Sequence, residues 1–140
     1  MEPQIVVGVD GSAIAAAALD WAVAEAARRG GRVLAVTVSP RDPDAVAAQV
    51  DRAAARNPGV PVAHVVRTGL IADTLLDSAD GADLLVLGGH GAGGVLSALL
   101  GSVAAYCVRH ARVPVVLVPD ALAELPTASA RSALTPGPLL

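Results

Sequence analysis

Residues 84–102 read LLVLGGHGAGGVLSALLGS. Leu84-Leu85-Val86-Leu87 is a continuous apolar run, as expected of a parallel-sheet strand buried on both faces. Gly88-Gly89-His90-Gly91 follow directly, and nine residues later stand Gly101 and Ser102, at the start of a helix-like stretch. The spacing is G-x2-G-x9-G-S, carried by Gly88, Gly91, Gly101 and Ser102. Glycines in such a loop let backbone N–H groups come close to an anion, and the start of the next helix stabilises negative charge. Strand, glycine loop and helix together predict an α/β fold and a phosphate-bearing ligand.

Outward from this stretch the same alternation repeats. Ile5-Val6-Val7-Gly8-Val9 predicts a buried strand, and Asp10-Gly11-Ser12 a turn with Ser12 as N-cap. From Ala13 to Arg29, Leu19, Ala22, Val23 and Ala26 fall at helical spacing; Arg28 and Arg29 suit the dipole of the last turn, and Gly30-Gly31 ends the helix. A second strand spans Arg32 to Ser39. Pro40 and Pro43 break the chain ahead of a helix from Asp44 to Arg56, which Asn57-Pro58-Gly59 terminates. Val60 to Arg67 predicts the third strand, Leu70 to Ala79 a helix, and Leu84 to Leu87 the fourth strand. Ser102 is read as the cap of a helix in which Val103, Cys107 and Ala111 share a face, and Pro114 to Val118 as the fifth strand.

Five such alternations predict a doubly wound, mostly parallel α/β sheet of five strands with helices on both faces, a Rossmann-like layout. Ligands of these sheets bind outside the carboxyl ends of the strands, where the strand order reverses. The order 3-2-1-4-5 brings the loop after the first strand and the glycine loop after the fourth to one cleft. Residues 1–120 then form one domain, and 121–140, rich in Ala, Ser, Thr and Pro, a flexible tail.

Composition removes several alternatives. The formal net charge is −3, which argues against nucleic acid as a partner. All ten basic residues other than histidine are arginine. Without lysine, the phosphate-binding loop ending in Gly-Lys-Ser/Thr and a kinase-type site are both excluded. The single cysteine, Cys107, allows neither an internal disulfide nor a multi-cysteine metal site, and is read as a buried small hydrophobe. No secretory signal or membrane-spanning run is read, so a cytoplasmic location without a membrane partner is expected. Phe is absent, with one Trp and one Tyr, so the core has to be built from small and β-branched side chains.

Three stretches carry a resemblance to a known family: Val7-Gly8-Val9-Asp10-Gly11-Ser12, the G-x2-G-x9-G-S motif, and Ala111-Arg112-Val113-Pro114-Val115-Val116-Leu117-Val118. In this order, over roughly Gln4 to Pro119, the chain resembles the universal stress protein family in its ATP-binding branch. The resemblance implies that Asp10 lies beside adenine and ribose with Gly8 under them, and that Val38 offers backbone contacts to the base. It implies that Gly88, Gly89, His90 and Gly91 wrap ribose and phosphates, and that Gly101, Ser102 and Val103 bind phosphates at the helix start. ATP, or AMP or ADP, is the implied ligand, with Mg2+ or Mn2+ beside a triphosphate and no metal ligands assigned. A homodimer through the last strand, Val113 to Val118, is also implied. Two departures stand out: the connection between the second and third strands is shorter than the family usually carries, and Ala104 replaces a small hydroxyl residue.

Other readings of the same residues stay open. Gly89, Gly91 and Gly94 also satisfy G-x-G-x-x-G, with Asp120 after the next strand. That fingerprint requires a helix running straight through Gly101-Ser102, and a mid-helix glycine costs roughly 1 kcal/mol relative to alanine. Asp10 also reads as a plain turn residue, Ser102 as a plain N-cap, and His90 as a backbone contributor. His64 is read as a strand-surface residue and His110 as a helix-end residue. The leading function is a nucleotide-dependent regulatory protein with at most slow hydrolysis, since no general base accompanies the glycine loop. Beside it stand an adenine-nucleotide hydrolase or nucleotidyl-transfer enzyme on the same fold, and a dimerisation module that has lost nucleotide binding.

Overall fold

Ile5, Val6 and Val7 have no exposed surface at all, which marks their strand as the centre of the sheet. The computed structural model describes residues 2–89 and 101–119. In chain order it contains β1 (Gln4–Gly8), α1 (Ala13–Arg29), β2 (Arg32–Val38), α2 (Pro43–Arg56), β3 (Val62–Arg67), α3 (Ile71–Ala79), β4 (Leu84–Gly89), α4 (Gly101–His110) and β5 (Val115–Pro119). The five strands form one sheet in the order β3-β2-β1-β4-β5, and every pairing is parallel. The fold expected from the sequence is the fold observed. The proposed tail, 121–140, lies outside the described residues.

Side chains alternate across the sheet with the period of two that a strand imposes. Ile5, Val7, Val33, Ala35 and Val86 face α1 and α2, while Val6, Val36, Leu85 and Leu87 face α3 and α4. On the first face α1 contributes a buried stripe of small residues, Ala15, Ala18, Ala22 and Ala26, together with Leu19 and Val23. Trp21 packs against this core and stays half-buried. On the second face Leu75, Ala79 and Cys107 complete the packing. Among the described residues no helix is long and apolar enough to cross a membrane.

Element ends follow local chemistry. Ser12 caps α1, its Oγ accepting from the N–H of Ala15 at 3.2 Å, and Gly30 closes the helix in the left-handed region. The helix expected from Asp44 begins at Pro43. Asp42 caps it through Oδ1, and proline at the first helical position gives up only an N–H that would have no intrahelical partner. Pro43 thus starts a helix instead of breaking the chain. The third strand starts at Val62, two residues later than expected; Val60 belongs to a turn, its N–H bonding the Asn57 carbonyl. β4 continues two residues further than expected, through Gly88 and Gly89, because both pair with β5.

A polar pair lies on the β3 edge. Thr37, 1 % exposed, joins His64 Nε2 through its Oγ1 at 2.8 Å. Burial pushes the His64 pKa below its ordinary 6.5, against a smaller upward pull from Asp51. The folded state therefore favours the neutral ring, so this contribution is complete above pH 6.5 and is lost as the pH falls from there through the folded-state value. An NMR titration of the imidazole should place its midpoint below 6.5 in the folded protein; a midpoint at or above that value contradicts the burial argument. Leu85, fully buried on the α3–α4 face, should lose about 3 kcal/mol of stability when changed to alanine, as read by urea unfolding.

Candidate functional site

β1 and β4 are neighbours, but the chain leaves them for opposite faces: α1 packs with α2 on one side, α3 with α4 on the other. The order reverses between these two strands, so a crevice opens at their carboxyl ends. A cleft of about 480 Å³ occupies it. Its lining comes from the ends of β1, β2 and β4 and the first turns of α1, α3 and α4.

Gly8, Asp10, Val38, Gly88, Gly101, Ser102 and Val103 all line this cleft. Gly89, at the very end of β4, is not part of the lining. His90 and Gly91, the remaining two residues nominated from the sequence, lie outside the described residues. Among the described residues, Val9, Ser12, Ile14, Ala15, Val36, Ile71, Leu75, Leu87 and Ala104 also line it and were not nominated. Much of that set forms an apolar wall from the α3 face. Leu70 and Ile71, at the start of α3, are large, apolar and exposed, Leu70 at 73 % and Ile71 at 48 %.

Two glycines hold the floor by packing alone. A Cβ on Gly8 would come within 2.9 Å of the Leu87 side chain and 3.2 Å of Leu75. One on Gly88 would meet the Ile14 side chain at 2.9 Å and its carbonyl oxygen at 3.2 Å. Gly101 has a different reason: its φ is +73°, a conformation that side-chain-bearing residues adopt only at a cost. It is the first residue of α4, and Ser102 lies inside the first turn. The expectation that Ser102 precedes the helix as its cap is thereby corrected. The left-handed turn that aims the chain into α4 falls on Gly101, so Ser102 is already helical. The first N–H groups of any helix lack intrahelical partners, and Gly101, Ser102, Val103 and Ala104 of α4 all line the cleft.

Opposite them stands the Asp10 turn. Asp10 Oδ1 accepts from the Ser12 N–H at 2.9 Å and from the Ser12 hydroxyl at 2.6 Å. The turn reading of Asp10 and its place in the cleft therefore hold together. Behind the turn, the Gln49 side chain of α2 donates from Nε2 to the Ser12 carbonyl at 3.1 Å. Asp10 is the one ionisable side chain that lines the cleft among the described residues, and no metal-binding group of three His, Cys, Asp or Glu occurs among them. Cys107 is fully buried, and burial pushes its thiol up to about 11, far from reactive range. His110 ends α4, as expected. A second cavity, about 400 Å³, lies toward the amino ends of β4 and β5 between α3 and the α4–β5 connection, away from the strand-end crevice.

Fold and site together define a doubly wound α/β protein with an open cleft at its topological switch point. The chain belongs to the universal stress protein family, whose sequence profile matches residues 1–58 and 41–119. It is 35 % identical over 130 residues to a universal stress protein of Mycobacterium tuberculosis, covering 81 % of this chain and 44 % of that protein. The chain thus spans a little under half the length of that curated relative. A crystal structure of a universal stress protein in complex with cAMP superimposes with a TM-score of 0.72 at 32 % identity, covering 84 % of this chain and 97 % of that one. The universal stress protein from Archaeoglobus fulgidus in complex with dAMP gives 0.63 at 25 % identity, covering 84 % and 98 %.

Replacing Ser12 by alanine removes the α1 cap together with a bond to Asp10. The change should lower stability by about 1 kcal/mol, measured by chemical unfolding.

Proposed function

We propose that this chain binds an adenine nucleotide in the cleft between β1 and β4 and acts as a nucleotide-dependent regulatory protein of the ATP-binding branch. The observation that carries the reading is the convergence of the Asp10 turn and the α4 amino terminus on one strand-end crevice. Support comes also from the two related structures, solved with cAMP and with dAMP.

In this reading the base lies on the apolar wall of Val36, Val38, Ile71 and Leu75, with backbone groups of Val38 at its edge. The Asp10 carboxylate accepts from ribose hydroxyls, and the N–H groups of Gly101, Ser102 and Val103 face phosphate, with the Ser102 hydroxyl as a further donor. Gly88, Gly89, His90 and Gly91 complete the wrap around ribose and phosphates. Mg2+ or Mn2+, where a triphosphate brings one, is held by the phosphates, because the described residues supply no ligand set of their own. Any hydrolysis is slow: Asp10 is committed to the turn and sits on the ribose side, leaving no base beside the phosphates. β5 is an outer strand of the sheet, which suits a homodimer formed along 113–118. The cytoplasm is the proposed compartment.

The test is mass spectrometry of small molecules released from the gently purified protein, with calorimetry using ATP, ADP and AMP. Wild type should retain or bind an adenine nucleotide. Gly101→Val, which forces a side chain into the left-handed turn, should weaken binding at least tenfold while gel filtration shows the dimer intact. Unchanged binding in Gly101→Val would mean that the phosphate end is misassigned.

A further inference from the structure

We propose that Gln49 of α2 is a positioning residue for the ribose-side carboxylate: through Ser12 it sets where Asp10 stands in the cleft. The inference rests on the adenine-nucleotide reading above and adds to it a residue that is not part of the cleft lining.

The linkage runs through Ser12, which uses every polar group it has. Its N–H and its hydroxyl both donate to Asp10 Oδ1, at 2.9 and 2.6 Å, and its Oγ accepts from the Ala15 N–H. Its carbonyl accepts from the Ala16 N–H at 3.0 Å and from Gln49 Nε2 at 3.1 Å. One residue is thus held by the carboxylate, by α1 and by α2 at once. Both bonds to Asp10 end on Oδ1, so Oδ2 is left for a ligand. α2 meets the same turn a second time, one helical turn earlier: a Cβ on Gly11 would stand 3.4 Å from Val46 Cγ2.

The chemistry of Gln49 does not suit a residue that serves packing alone. It is 7 % exposed and lies on the buried face of α2 with Val46, Val50 and Ala53. Its Nε2 reaches Ser12, while its Oε1 is buried without a partner among the described residues. An amide that buries two polar groups for one bond adds little to stability. An apolar side chain of the same length would fill the space as well, but it has no donor with which to grip the Ser12 carbonyl. α2 also follows β2, whose last residue, Val38, lines the cleft on the base side. The same helix therefore sets the base wall and the ribose carboxylate relative to each other.

The experiment is calorimetry of the full chain with whichever of ATP, ADP and AMP binds most tightly, and with the 2′,3′-dideoxy form of that nucleotide. It compares wild type, Gln49→Met and Gln49→Leu, each also unfolded in urea. Wild type should prefer the ribose form by roughly tenfold, the scale of hydroxyl bonds to a carboxylate. Both variants should bind the ribose form roughly three- to tenfold more weakly and the dideoxy form as wild type does. Their urea midpoints should stay near the wild-type value. Equal weakening of both forms overturns the inference, because Gln49 would then support the cleft as a whole. An intact preference for the ribose form overturns it too, as does failure of both variants to fold, which would make the amide a support of the fold. A wild type without that preference removes the Asp10 contact and this inference, and leaves nucleotide binding standing. Absence of binding with all three nucleotides overturns the nucleotide reading as well.

Discussion

β1 is hydrogen-bonded to a parallel strand on each side and covered by helices on each face, and the rest of the structure takes its place from it. Val6 pairs with Leu34 in β2 and with Leu85 in β4, and it has no exposed surface. Residues buried on both faces cannot slip register without exposing apolar surface and breaking two ladders at once. The strand order can reverse only beside such a strand, since the chain must come back to its other edge. The cleft is the space left where the two connections part, so its position is a property of the sheet before it is a property of any ligand.

The fold was legible in the sequence because its signals are local. Apolar runs of strand length, helical spacing between Arg32 and Gly11, and glycine or proline at the boundaries each act within a few residues. The strand order was read from the convergence of two loops, and the sheet has that order. The errors fall where one residue type serves two purposes. Pro43 looks like a break and is a helix start, because proline at that position surrenders nothing. Ser102 looks like a cap, but Gly101, in the left-handed region, makes the turn first.

The site was legible only along the chain segments that carry glycine and short polar residues. Gly8, Asp10, Gly88, Gly101 and Ser102 stood out because glycine and short polar residues at strand ends and helix starts read as turn, cap and anion-loop chemistry. Ile71 and Leu75 did not, since an apolar residue at helical spacing looks the same whether it packs in the core or walls a cleft. The bond from Gln49 to the Ser12 carbonyl spans 37 positions of sequence. Nothing local could announce it, and the same holds for Thr37 with His64, 27 positions apart. Packing also gives Gly8 and Gly88 a reason to exist that owes nothing to a ligand. Their presence in a motif therefore says less about binding than the acid at Asp10 and the left-handed turn at Gly101 do.

The small-residue stripe of α1 sets the terms on which this sequence can drift. Ala15, Ala18, Ala22 and Ala26 are at most 4 % exposed and lie directly on strands rich in valine. Interiors of this kind have no slack, so one added methylene on the helix has to be met by one removed from the sheet. The two surfaces can change only as a pair. Exposed positions of the same helix, such as Ala24 and Ala27, are free of that bond. Over many generations the outer face of α1 can wander while the inner face and the sheet move together or stand still.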